Sequence, residues 1–335
     1  MSNYFTFWHI NAPVFIRPVE VNHMFQSANI QALTAAMREF AETHQQLAVL
    51  LGPAGSGKTT LLRWLSQSLP MKTHDVFITT LLGREHDSGW LLPRIAEFFQ
   101  KGSKDRKNLK ETISNGINQL TQEARQLLIC IDTAHLICTD EALSDLEAFF
   151  NLQDLSGIRI SFVLSGNQEL IERLKKHPSI SLRVNSCLTT SNLNCDELES
   201  YAIHRLKTAG VAAVFDPEAI VSIYNESGGN FLLCNNIFEK CLIEAANKST
   251  RRVTTFIVEK VLSSSFFNHK TVEKPLSSEI TKDKDKPTSV SQVQESKATE
   301  HFERIPATDQ QKVSKIDHER NGSIKLSSLF KHDKD

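Results

Sequence analysis

QQLAVLLGPAGSGKTTLLRWL, running from Gln45 to Leu65, decides how this chain is read. Leu47 to Leu51 form an apolar run that predicts a strand, and Gly52 to Gly57 form a glycine-rich turn. From Lys58 onward Leu61, Leu62, Leu65 and Leu69 recur at helical spacing until Pro70 stops them. The turn satisfies G-x-x-x-x-G-K-[ST] with Gly52, Gly57, Lys58 and Thr59 in place. Such a loop suits anions, because glycines let backbone N–H groups face inward and the following helix adds its positive end. Gly52, Pro53, Ala54, Gly55, Ser56, Gly57, Lys58, Thr59 and Thr60 are therefore expected to wrap the phosphates of ATP. Lys58 would reach the β/γ-phosphates and Thr59 would hold Mg²⁺.

The flanking pattern alternates strands and helices. A helix is expected through Ile30, Leu33, Ala36, Met37 and Phe40, a second strand from Asp75 to Leu82, and helices near 89–100 and 105–121. Gln126 to Ile131 is a continuous apolar run closed by Asp132, as expected of a parallel strand buried on both faces with a carboxylate at its ligand edge. Asp132 is thus the second expected Mg²⁺ residue, acting through water. A helix near 141–153, a fourth strand from Ile158 to Leu164 and a fifth near Val184–Thr189 complete an α/β doubly wound parallel sheet. From about Asn194 the pattern is helical alone, near 195–209, 216–227, 230–247 and 253–265, which predicts a small helical lid. Residues 4–25, broken by Pro13 and Pro18, read as an irregular aromatic leader packed on the domain. Residues 267–335 are rich in Lys, Ser, Thr and Asp, too polar to offset ordering entropy, and are expected to be a disordered tail. The resulting division is 1–44 (leader and first helix), 45–192 (P-loop α/β domain), 193–266 (lid) and 267–335 (tail).

Bulk properties narrow the class. The 335 residues carry a formal net charge of −1, which argues against a dedicated nucleic-acid binder, and basic pairs such as Lys175-Lys176 and Arg251-Arg252 are sparse. The six cysteines form no C-x-x-C pair and read as reduced structural thiols. The N-terminus lacks a signal-peptide pattern and no stretch reaches membrane-span length, so a cytoplasmic protein without direct membrane insertion is expected.

Four linked blocks resemble AAA+ ATPases of the general-secretion-pathway protein A (ExeA-like) type. That family places an aromatic leader and a helix before hVhhGxxGxGKT; here these are YFTFWHINAPVF, FQSANIQALTAAM and LAVLLGPAGSGKTTLLR. IDTAHLI, DLEAFFNLQDL, FVLSGNQEL and SGGNFLLCNN then stand where the family has IDEAQ or IDEAH, LExLxxLxxL, VLAGQPEL and SGGIPRxIN. The resemblance covers about Tyr4 to Phe266. It implies a three-layer P-loop AAA+ domain with ATP bound between sheet and lid, homo-oligomeric association, and an envelope role through a membrane-bound partner. It also implies a polar sensor at Asn167 or Ser165, for which a helix cap at Asn167 is an equal reading. Arg183 falls where the family carries an arginine that reaches a neighbour's nucleotide, and a surface arginine reads equally well.

Two departures bear on hydrolysis. The family's catalytic glutamate falls on Thr133, which cannot accept a proton from water, and its lid arginine falls on Leu232. A positioned base contributes about 10²–10⁴-fold, so slow hydrolysis is expected. His135 offers a substitute base in principle, but the end of the strand is expected to aim it elsewhere.

Overall fold

The computed structural model describes residues 2–16, 20–100, 109–156 and 159–264. In chain order these form α1 (Ser2–Trp8), α2 (Ala28–Glu42), β1 (Leu47–Leu51), α3 (Lys58–Ser68), β2 (His74–Thr80), α4 (Leu91–Gln100) and α5 (Leu109–Gln122). They continue through β3 (Gln126–Asp132), α6 (Asp140–Ser156), β4 (Ile160–Gly166), α7 (Gln168–Leu174), α8 (Pro178–Ser181) and β5 (Val184–Thr189). Four helices follow: α9 (Cys195–Thr208), α10 (Pro217–Ser227), α11 (Phe231–Asn247) and α12 (Thr255–Ser264). The expected tail lies outside the described residues, as does Ile158, and the fourth strand begins at Ile160.

The strands form one parallel sheet in the order β2-β3-β4-β1-β5. Strand alternation divides β1 between two cores. Leu47, Val49 and Leu51 face one cluster with Ile95, Ile117 and Phe150, whereas Ala48 and Leu50 face another with Met37, Phe40 and Leu62. Helices therefore cover both faces, and the carboxyl ends of β1, β3 and β4 open along one edge. This is the three-layer α/β architecture the apolar runs predict.

A third cluster gathers the residues of α9 to α12, including Leu198, Ile223, Phe238, Leu242 and Val258. Local signals set these helices. Asn194 and Glu197 form a reciprocal capping box at α9, and Pro217 opens α10, which Gly228 closes in the left-handed region. The leader belongs to this cluster through Tyr4, Trp8, Val14 and Phe15. It also departs from the irregular leader expected, because Ser2–Trp8 is helical; Pro13 and Pro18 come too late to interrupt it. Glu239 of α11, 1 % exposed, accepts from the Tyr4 hydroxyl and, at 2.7 Å, from the Phe15 N–H. The Phe15 ring stacks on Phe238 with centroids 4.7 Å apart.

Burial pushes the thiols of Cys130 and Cys241 up to about 12 and that of Cys234 up to about 11, whereas Cys187 is exposed on β5. The thiolate is the reactive form. A maleimide reagent at neutral pH is thus expected to modify Cys187 first in the folded protein and to reach Cys130, Cys234 and Cys241 only on unfolding. Mass mapping that finds these three labelled at native rates would contradict the packing.

Candidate functional site

The glycine loop joins β1 to α3 at the carboxyl edge of the sheet. Gly57 precedes α3 with φ of 92°, a left-handed conformation that side chains adopt at a cost. Gly55 allows a close approach: a Cβ there would lie 2.6 Å from both Asn230 Oδ1 and Leu232 Cβ. Lys58 Nζ donates to the loop carbonyls of Gly52 and Pro53 at 2.7 and 2.8 Å. Burial lowers its pKa, opposed by the charge of Asp132.

Asp132 ends β3 and is only 3 % exposed, so its carboxylate needs donors. Three elements supply them. Thr59 Oγ1 donates to Oδ2 at 2.5 Å, Ser165 Oγ to Oδ1 at 2.8 Å, and the Thr133 N–H to Oδ1 at 3.0 Å. Ser165 is thereby committed to Asp132. Thr133 itself has φ of 57°, and its hydroxyl faces the carbonyls of Leu81 and Asp132 at 2.7 and 2.6 Å. A β-branched residue in this region carries strain of order 1–2 kcal/mol.

A cavity of about 480 Å³ opens above the loop, lined by Lys58, Thr59, Asp132, Thr133, Asn167 and Leu232 among others. His135 lines it too. The aim expected for that residue is therefore corrected: carried by the 3₁₀ turn Ala134–Leu136 directly after β3, it stands in the cavity wall. Asn167 caps α7, its Oδ1 accepting from the Glu169 N–H at 3.1 Å, and it also lines the cavity. Arg183 is not brought there. It precedes β5 at the opposite edge of the sheet, donates to Gln46 Oε1 at 3.0 Å and stacks over Phe150. Any contact it makes with a nucleotide must be with that of another molecule.

Three features escape a reading of the sequence. Asn230 caps α11, accepting from the Leu232 and Leu233 N–H groups, and its Nδ2 donates to Ala54 O at 2.8 Å. The Leu232 N–H also meets Gly55 O at 3.3 Å, so the helical cluster is latched directly to the glycine loop. The cap was detectable in S-G-G-N, but not its reach to Ala54. Second, Ser56 and Thr190 share a hydroxyl contact of 2.6 Å that ties the loop to the chain after β5. Third, a smaller, mainly apolar pocket adjoins the cavity through Ser56, Gly57, Thr60, Phe231 and Asn235. Phe25 and Tyr201, with centroids 5.5 Å apart, form part of its wall.

The donor set fits a Mg²⁺-bound nucleoside triphosphate. A glycine cradle with a cation at its mouth suits phosphates, and the paired hydroxyl and carboxylate of Thr59 and Asp132 are the hard oxygen ligands Mg²⁺ takes. The adjoining aromatic pocket suits a base and its sugar.

Residues 41–174 match the family model of the AAA domain. The chain is 25 % identical over 257 residues to general secretion pathway protein A of Aeromonas hydrophila, a match covering 75 % of this chain and 46 % of that protein. It thus spans about half the length of that relative. The fold is shared with the ORC2 protein of Aeropyrum pernix, with a TM-score of 0.59, 14 % identity and coverage of 75 % of this chain and 71 % of that one. It is likewise shared with Cdc6p from Pyrobaculum aerophilum, with a TM-score of 0.59, 17 % identity and coverage of 75 % and 70 %. The RuvB Holliday junction branch migration motor of Thermotoga maritima has a TM-score of 0.50 and 17 % identity, with coverage of 74 % and 72 %.

The latch is testable without nucleotide. Asn230→Ala removes both a helix cap and the bond to Ala54, and is expected to cost about 1–2 kcal/mol in urea unfolding. It should also increase proteolytic cutting near 190–194. Unchanged stability would mean that the contact carries no load.

Proposed function

We propose that this chain, which carries an AAA domain in the AAA+ P-loop fold, binds Mg·ATP and hydrolyses it slowly. On this reading it acts as a nucleotide-dependent assembly or regulatory subunit, with self-association as the means of coupling. The observation that carries it is a complete binding set beside an incomplete hydrolytic one. Lys58, Thr59 and Asp132 meet at the glycine loop, while Thr133 and Leu232 offer neither a base nor a cation to the same cavity.

Mg²⁺ bound there would screen phosphate charge. The chain's own residues would divide the remaining work. Lys58 would leave the Gly52 and Pro53 carbonyls for the β/γ-phosphates, Thr59 and Asp132 would hold the metal, and Asn167 would offer its amide N–H groups to the terminal phosphate. Phe25, Tyr201 and Phe231 would flank the base. Water would be positioned without a general base at Thr133, whose hydroxyl is held by backbone carbonyls. Similarity to general secretion pathway protein A supports an envelope process with a membrane-bound partner. Among the described residues no helix is long and apolar enough to cross a membrane. Arg183, outside its own cavity, is suited to reaching the nucleotide of a second copy.

Lys58→Ala is expected to abolish binding of a fluorescent ATP analogue; undiminished binding would remove the site. Thr133→Glu should raise steady-state turnover by about 10²-fold while ATP affinity is kept. A wild-type rate of about 1 s⁻¹ or more, lost in Lys58→Ala, would contradict slow hydrolysis.

A further inference from the structure

We propose that His135 donates a hydrogen bond from Nε2 to the terminal phosphate of ATP, making it the contact by which this site separates ATP from ADP. The inference rests on the nucleotide reading above and adds to it a residue and a chemical role.

The cavity has two ends. Ser56, Gly57, Thr60, Phe231 and Asn235 line both it and the aromatic pocket, whereas Thr133, His135 and Asn167 line the phosphate cavity alone. A nucleotide with its base in the aromatic pocket and its phosphates along the glycine loop would place its last phosphate beside these three. Thr133 commits its hydroxyl to backbone carbonyls, and Leu232 brings no polar side chain. Side-chain donors beyond Lys58 at this end therefore come from Asn167 and His135.

The backbone that carries the ring is held in place. The turn carrying it is tied to the loop after β2, with the Glu85 N–H donating to Leu136 O and the Cys138 N–H to Glu85 O, each at 2.9 Å. The turn also packs on the end of β4, where a Cβ on Gly166 would come within 3.3 Å of the His135 backbone nitrogen. Burial then selects the tautomer. Nδ1 is buried with no hydrogen-bond partner among the described residues. An orphaned buried N–H is rarer than an unused acceptor, so the proton of the neutral ring belongs on Nε2, the nitrogen left to the cavity. A base would need the opposite arrangement, with a lone pair on Nε2 and a proton on the buried Nδ1. His135 therefore reads the phosphate as a donor and does not replace the missing carboxylate.

The experiment measures competition by ATP and by ADP against a fluorescent nucleotide, using the full chain and its variants. His135→Ala is expected to weaken ATP about tenfold and ADP less than about twofold, the loss of one hydrogen bond to a charged group. His135→Gln, which keeps an N–H donor, is expected to restore most of the difference. His135→Met, which fills the space without a donor, repeats the alanine test if alanine disturbs folding. Equal weakening of both nucleotides would overturn the proposal, as would unchanged ATP affinity with loss of hydrolysis alone. Wild-type protein that binds neither nucleotide would instead overturn the nucleotide reading beneath it.

Discussion

The buried carboxylate of Asp132 is the constraint around which the sheet edge is built. A charge withdrawn from water costs several kcal/mol unless donors replace its hydration. Here the donors come from the start of α3, the end of β4 and the residue after β3. Satisfying one group thus fixes three chain segments that are distant in sequence, and the parallel order places β4 beside both β1 and β3. Thr59 and Asp132 are brought to 2.5 Å by this structural demand, which is also the arrangement a divalent cation would use. Preorganisation of the proposed metal site and stability of the sheet edge are one requirement.

The helical cluster meets the glycine loop by different physics. No cation stands at the start of α11; contact is made by an amide side chain and a backbone N–H, both to loop carbonyls. Such neutral bonds are insensitive to salt and to the charge of a ligand. The leader belongs with this cluster, since Phe15, Tyr4 and Glu239 share its core and Trp8 Nε1 donates to Leu242 O. A common core makes leader and helices one body, and Phe25, ten residues after Phe15, lies in the wall of the aromatic pocket.

What the sequence disclosed follows from the range of the forces involved. The β1–α3 unit was legible because alternation, glycines and helical spacing are local, and β3 because burial on both faces leaves a continuous apolar run. The start of β5 at Val184 was equally plain. The leader was misread because its prolines were given more weight than the intact helical stretch before them. His135 was expected to point elsewhere from the strand's end, but past Asp132 the backbone at Thr133 leaves the β region and the chain tightens into a 3₁₀ turn. The reach of Asn230 to Ala54 and of Thr190 to Ser56 could not be found, since these partners lie more than a hundred residues away.

The strained backbone at Thr133 bears on why a binding site would keep so weak a hydrolytic wall. Catalysis requires contacts stronger in the transition state than in the ground state. Charged groups that meet developing charge provide this most effectively. Neutral donors such as an asparagine amide and an imidazole N–H serve the ground state or the transition state according to where they are aimed. On the proposed reading, the want of a base at Thr133 is what separates ATP binding here from rapid turnover. The left-handed Thr133 serves the same end, because it turns its N–H to Asp132 and its hydroxyl away to Leu81. The residue that follows the carboxylate is thereby spent on holding Asp132 in place.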